Sequence, residues 1–164
     1  MDDGEPPGIE LSTPDPYFLE EETRAPAATE YWRAPASAFV QYDDANAWTY
    51  YNGGCIHRTG GSNYFDIDLQ LPDAATITYL RVYFYDTDAT YDASALIWSF
   101  DGAGNSTLLA TVSSAGTPGQ STAGTSVSHV VNNVNEALSV RIDFNGASTS
   151  SVRICGVRVQ YVTP

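Results

Sequence analysis

From residue 36 onward apolar and polar positions alternate with a period of two, interrupted at short intervals by Gly, Asn, Asp and Ser. The clearest strand is Ala137–Phe144, with Leu138, Val140, Ile142 and Phe144 on one face and Ser139, Arg141 and Asp143 on the other. Thr76–Tyr85 repeats the pattern, with Leu80, Val82 and Phe84 inward, and Leu96, Trp98 and Phe100 mark a third strand. In Val152–Val162, simple alternation puts Cys155, Val157, Val159 and Tyr161 on one face, with Arg153 at its solvent end, and Ile154, Gly156 and Arg158 on the other. Weaker strands fall at 36–42, 47–51, 54–58, 63–71, 106–114 and 125–131. Asp101–Asn105 and Asn145–Ala147 read as hairpin turns, and 114–125 as a flexible connection between sheets. Only Tyr17–Ala28 has helical character, one turn at Glu20–Glu22 ahead of Pro26. So many short strands predict an all-β fold, a two-sheet antiparallel β-sandwich of jelly-roll type.

The first 35 residues break this pattern. Residues 1–38 carry nine carboxylates against Arg24 and Arg33, and six of the nine prolines. Such a stretch cannot bury enough apolar surface to fold alone. The expected division is therefore an acidic, proline-rich extended arm over 1–35 and a sandwich domain over 36–164, the arm tied down by its own domain or by a neighbouring copy.

Two cysteines, Cys55 after a glycine pair and Cys155 within the last strand, form no C-x-x-C motif, which disfavours zinc and thioredoxin chemistry. The expected state is one Cys55–Cys155 disulfide closing a loop of roughly 100 residues; the alternative is two reduced, buried hydrophobes. The disulfide reading implies an oxidising compartment. Met1–Gly4 begins neither a basic n-region nor an apolar h-region, so a secreted form would have its leader absent from this sequence. No run of apolar residues is long enough to predict a membrane-spanning helix.

With 20 acidic residues, seven arginines and no lysine, the net charge is −13. Such a charge repels phosphate backbones and anionic lipid, which argues against nucleic-acid and membrane partners.

Residues 36–162 resemble an uncharacterised group of bacterial secreted β-sandwich domains. The resemblance rests on Asn52-Gly53-Gly54-Cys55-Ile56-His57-Arg58-Thr59-Gly60-Gly61, Leu71-Pro72-Asp73-Ala74, Arg81-Val82-Tyr83-Phe84-Tyr85-Asp86 and Ile154-Cys155-Gly156-Val157-Arg158-Val159. It implies secretion and the sandwich fold, and carries no activity and no site residues.

Catalysis finds little material. There is no G-x-S-x-G elbow, H-E-x-x-H motif or P-loop. His57 and Cys55 share a strand face, which allows a Cys–His pair or a bonded cysteine beside a surface histidine. Asp66 and Asp68 share a face and could act as paired carboxylates, although solvated strand acids explain them as well. His129 alternates with Val127 and Val131, as a sheet-face residue does. The chain is not expected to be an enzyme. The D-x-D-x-x-x-D turn of Asp86, Asp88 and Asp92 is the candidate calcium site, though it lacks the glycine and glutamate of an EF-hand. Asn105-Ser106-Thr107 fits a glycosylation sequon.

Outward aromatics remain. Trp48, Tyr50, Tyr51, Tyr83 and Tyr85 could form a stacking platform for a sugar or a protein interface. Two functions follow. One is an extracellular structural or assembly subunit, of filament or surface-layer type, that self-associates by docking its arm on a neighbour through Pro16, Tyr17, Phe18, Leu19 and the strand around Phe39. The alternative is a carbohydrate-binding module that recognises polysaccharide through the exposed Tyr and Trp, with calcium at the aspartate turn.

Overall fold

The computed structural model describes residues 27–44, 47–116 and 118–164. Eleven strands fold into two antiparallel sheets, with no α-helix among the described residues. They are β1 (Thr29–Pro35), β2 (Val40–Gln41), β3 (Ala47–Tyr51), β4 (Cys55–Gly60), β5 (Tyr64–Asp68), β6 (Thr76–Asp86), β7 (Ser94–Phe100), β8 (Ser106–Ser113), β9 (Gly119–Val130), β10 (Ala137–Asp143) and β11 (Val152–Val162).

The six-stranded sheet runs β3-β4-β11-β6-β9, with β1 also paired to β11. The five-stranded sheet runs β2-β5-β10-β7-β8. β11 organises the larger sheet: β6 lies along one side of it, while the other is shared by β4 at Ile154 and β1 from Gly156 to Val162. Between the sheets lies a dry core. Ile77, Leu80, Val82, Phe84, Ile154 and Val159 come from the larger sheet, and Phe65, Ile97, Val140 and Ile142 from the smaller. Phe144, just beyond β10, meets Phe65 edge-to-face at 5.8 Å.

The alternation in β6 and β10 is as the sequence predicts. Four expectations need correction. First, Val152–Val162 does not alternate simply, because Cys155 is an extra residue in the register between Ile154↔Phe84 and Gly156↔Tyr83. The bulge resets the pleat, so Val152 and Ile154 before it and Val157 and Val159 after it all face the core, leaving Arg153 and Arg158 outside.

Second, most of the stretch 114–125 is strand. β9 starts at Gly119 and pairs with β6 as far as Val130. Its outward residues, including Gln120, Thr122, Gly124 and Ser126, are small and polar, which resembles a linker in composition. Pairing with the long apolar β6 overrides that weak propensity. The link from β8 to β9 does cross between sheets.

Third, Asn145–Ala147 joins β10 to β11, which lie in different sheets, so it is not a hairpin; Asp101–Asn105 does close the β7–β8 hairpin. Fourth, Ala36–Ala38 is a 3-10 turn, and only Val40–Gln41 within 36–42 is strand.

The last seven residues of the expected arm, Thr29–Pro35, form β1 on this domain's own sheet, with Ala34 buried. Gly156 permits that docking, since a Cβ there would stand 2.9 Å from the Ala34 carbonyl oxygen. Residues 1–26, including most of the Tyr17–Ala28 segment, lie outside the described residues.

Cys55 and Cys155 form a disulfide, with an S–S distance of 2.02 Å across a sequence separation of 100. It ties β4 to the bulge of β11. Arg58 adds a second tie, donating from Nη1 to the carbonyls of Gly146 and Ala147 and from Nε to those of Gly61 and Ser62.

Candidate functional site

The outer face of the five-stranded sheet carries a cluster of aromatic rings around one ion pair. Ala95 and Ile97 are the buried residues of β7, so Leu96, Trp98 and Phe100 point outward. Arg141 of β10 stands opposite Leu96 on one side and Asp66 of β5 on the other. It donates from Nε and Nη2 to the two Asp66 carboxylate oxygens at 2.7 and 2.8 Å, a bidentate pair. Its guanidinium lies 4.5 Å from the ring centre of Tyr42, 4.9 Å from Tyr64 and 6.0 Å from Trp98. The bond from Asp66 raises the Arg141 pKa against the opposing effect of burial, so the cation is permanent.

Tyr42, Asp66, Trp98, Phe100, Ser106 and Arg141 line an open depression of about 340 Å³. Tyr42 and Phe100 are exposed at its rim. The buried indole Nε1 of Trp98 has no acceptor among the described residues. A rigid cation and carboxylate framed by ring faces can hydrogen-bond hydroxyls and stack against the C–H faces of a sugar. The signal in the sequence is the alternation of β7, where the small Ala95 and the branched Ile97 fill the core positions and the larger Trp98 is left outside.

The five aromatics singled out from the sequence all lie on the six-stranded sheet but form no single platform. Trp48 meets the core residue Phe65 edge-to-face at 6.4 Å and Tyr50 at 4.2 Å, on the core side of β3. Tyr51 and Tyr85 lie on the outer face, sandwiching the Arg153 guanidinium at 3.8 and 4.1 Å. Tyr83 belongs to the same outer face, opposite Gly156 and Thr122. The separation is the strand period acting on adjacent residues, as Tyr50 and Tyr51 show.

That outer face is ordered in rows across β1, β11, β6 and β9. Arg33, Arg158, Arg81 and Gly124 form one row, and Tyr31, Gln160, Tyr79 and Ser126 the next. Tyr79 lies over the glycine, where a Cβ would stand 2.4 Å from the Tyr79 hydroxyl.

Asp86, Asp88 and Asp92 do line one depression, of about 350 Å³. The carboxylate oxygens of Asp86 and Asp88 are engaged in shaping the turn. The buried Asp86 accepts the Asp88 N–H and the Ser114 hydroxyl. Asp88 accepts the N–H groups of Thr90 and Tyr91 and the Ser151 hydroxyl, and these bonds hold its carboxyl below the usual carboxylate range. No group of three or more His, Cys, Asp or Glu among the described residues is placed to hold a metal ion.

The Cys55–His57 pair has no thiolate to offer, because Cys55 is bonded to Cys155. His57 has a buried Nδ1 without a partner among the described residues, and burial together with the nearby Arg153 charge lowers its pKa. Asp66 is held by Arg141, while Asp68 is exposed beside it. His129 Nε2 lies 2.7 Å from Glu136 Oε1, and Ser99 Oγ donates to Glu136 Oε2 at 2.5 Å. The carboxylate sits between serine and imidazole, so the imidazole cannot take the serine proton as it does in a nucleophilic triad. Burial raises the Glu136 pKa, but the bonds from Ser99, His129 and Asn132 outweigh it and the net direction is down.

Of the expected assembly residues, Phe39 is buried in its own core, and Pro16, Tyr17, Phe18 and Leu19 lie outside the described residues. Phe39 therefore cannot serve as an exposed docking anchor.

No protein-family model matches the chain. No characterised protein matches it in sequence. By structure it is similar to the C-terminal CBM6 domain of LamC, a marine laminarinase from Zobellia galactanivorans. That match has a TM-score of 0.51 and 10% identity over 79% of this chain and 98% of that one. CsCBM6-3 from Clostridium stercorarium, solved with cellobiose, gives a TM-score of 0.46 and 12% identity over 80% of this chain and 91% of that one. A chain of the cyanophage Pam1 capsid asymmetric unit gives a TM-score of 0.42 and 21% identity over 85% of this chain and 86% of that one. The likeness to the LamC domain shows a shared β-sandwich fold.

Proposed function

We propose that this domain is a non-catalytic carbohydrate-binding module of a secreted protein, which holds a neutral polysaccharide chain on the outer face of its five-stranded sheet. The observation that carries this reading is the outward Trp98 beside the fixed Arg141–Asp66 pair in an open, aromatic-rimmed depression. An open, preorganised surface of this kind binds without chemistry: it offers stacking and fixed hydrogen-bond partners, but no nucleophile, no free general base and no enclosed cleft. The fold it shares with the LamC CBM6 domain agrees with this reading. The Cys55–Cys155 disulfide suits an oxidising, extracellular setting.

The test is affinity electrophoresis in gels containing laminarin, xylan, hydroxyethylcellulose or galactomannan. At least one should retard the native protein, and Trp98→Ala should abolish that retardation while keeping the native melting temperature. Equal mobility in all four gels sinks the reading.

A second reading, an assembly subunit, has one observation in its favour. The eight carboxylates of residues 1–26 precede a sheet face that carries arginines. Sedimentation of the full chain tests it, and a monomer at high concentration rejects it.

A further inference from the structure

Resting on the carbohydrate-binding reading, we propose that the outer face of the six-stranded sheet is a second binding surface, and that its ligand is a polysaccharide bearing a carboxylate on each sugar. Arg33 of β1 stands directly opposite Arg158 of β11, which stands directly opposite Arg81 of β6. Three cations therefore cross three neighbouring strands, over about 10 Å at the usual strand spacing. Like charges directly opposite one another destabilise a sheet, so this row needs a compensating reason.

Among the described residues no counter-charge is paired with this row. Among the described residues the ion pairs are His129–Glu136 and Arg141–Asp66, and neither involves this face. The outward positions of β1, β11, β6 and β9 carry Arg, Tyr, Gln, Ser, Thr, Gly, Pro and Val, and no Asp or Glu. Four of the chain's seven arginines, Arg33, Arg81, Arg153 and Arg158, gather here in a protein of net charge −13. The Nε groups of Arg81 and Arg158 are buried from solvent and have no acceptor among the described residues.

The partners these guanidinium groups do have are rings. Arg158 lies 5.0 Å from the ring centre of Tyr31, Arg33 lies 5.6 Å from the same ring, and Arg81 lies 5.6 Å from Tyr79. The rings hold the cations in place without neutralising them. A guanidinium fork recognises a carboxylate bidentately, and the intervening tyrosines offer faces to the sugar rings. An acidic peptide would use the charge but leave the ring faces idle, so the polysaccharide fits more of the surface. The overall negative charge does not forbid this, since screening at physiological salt limits its reach to about 8 Å.

The experiment uses the full chain with polygalacturonate and alginate, both polyuronates, and fully methyl-esterified polygalacturonate as the uncharged control. Binding is read by calorimetry for the native protein, Arg81→Gln/Arg158→Gln and Trp98→Ala, each checked for an unchanged circular dichroism spectrum. The expected result is binding to a polyuronate, at least about tenfold weaker in the double variant, unaffected by Trp98→Ala and absent with the methyl ester. Polyuronate binding that survives in the double variant, or that Trp98→Ala removes, overturns the proposal. So does neutral-glycan binding without any polyuronate binding, an outcome that leaves the Trp98 reading intact. Failure with every glycan overturns both. A synthetic peptide of residues 1–26 that binds this face more tightly than either polyuronate overturns it in favour of self-association.

Discussion

Arg141 is held by Asp66 through two parallel hydrogen bonds, at 2.7 and 2.8 Å, in the middle of an outward-facing ring of aromatic side chains. The pair connects two adjacent strands and is half-shielded by the rings, so its geometry is set before any ligand arrives. Preorganisation of this kind lowers the ordering cost that binding otherwise incurs.

Arg141→Lys keeps the charge but loses the planar fork. We expect glycan affinity on the Trp98 face to fall about tenfold, and stability to fall by about 1–3 kcal/mol because Asp66 loses a bidentate partner. Calorimetric titration and urea unfolding measure the two effects separately. Unchanged affinity would show that the pair serves only the sheet.

Removing the Cys55–Cys155 bond by Cys55→Ala/Cys155→Ala releases a loop of 100 residues. The chain-entropy argument gives a loss of about 4–5 kcal/mol. Urea unfolding should show a lower midpoint in the double variant, and native protein treated with reductant should match it. A shift below about 1 kcal/mol would mean that β4 and β11 are held together by other contacts.

Gly156→Ala places a methyl group against the Ala34 carbonyl oxygen. Overpacking costs about 1–3 kcal/mol, and here β1 can relieve it by moving away from β11. Hydrogen exchange should speed up across Thr29–Pro35 while β6 and β10 stay protected. Uniform protection along all strands would contradict the close approach.

Burial and the Arg153 charge lower the His57 pKa in the folded protein, whereas in the unfolded chain it titrates near its ordinary value of about 6.5. As pH falls through that value the unfolded state takes up the proton and the folded state resists it. Stability should therefore decline on acidification from pH 7 to about 5, and His57→Gln should flatten that decline. Asp143, whose carboxyl burial pushes up, acts in the opposite sense and only near the carboxylate range. Thermal melts of the two proteins across this pH window check the sign.

β10 and residues 80–84 of β6, whose apolar residues alternate, were legible from the sequence, and so were the two-sheet fold and the pairing of the two cysteines. Legibility failed where tertiary pairing decided the outcome. The bulge at Cys155 shifts the parity of half of β11, and nothing local in Arg153–Val157 announces it. β1 hides in a proline-rich acidic stretch because only Trp32 and Ala34 face the core, too few for a periodic signal. β9 hides because its outward face is Gly, Ser, Thr and Gln as far as Ser128. The candidate site was not legible in the aromatics: the five singled out lie on the six-stranded sheet, and neighbours such as Tyr50 and Tyr51 point to opposite faces of it. The alternation of β7 marks a strand but not which of its faces is inward; Ile97 fills the core position and leaves Trp98 outside.

The central claim is that Trp98 and the Arg141–Asp66 pair bind a sugar chain, and it is tested most directly by a chemical-shift titration of isotope-labelled protein with the glycan that retards it. The account predicts progressive shifts confined to Tyr42, Asp66, Trp98, Phe100 and Arg141 on the five-stranded sheet, absent in Trp98→Ala. Shifts centred on other residues while the Trp98 signals stay fixed would contradict it.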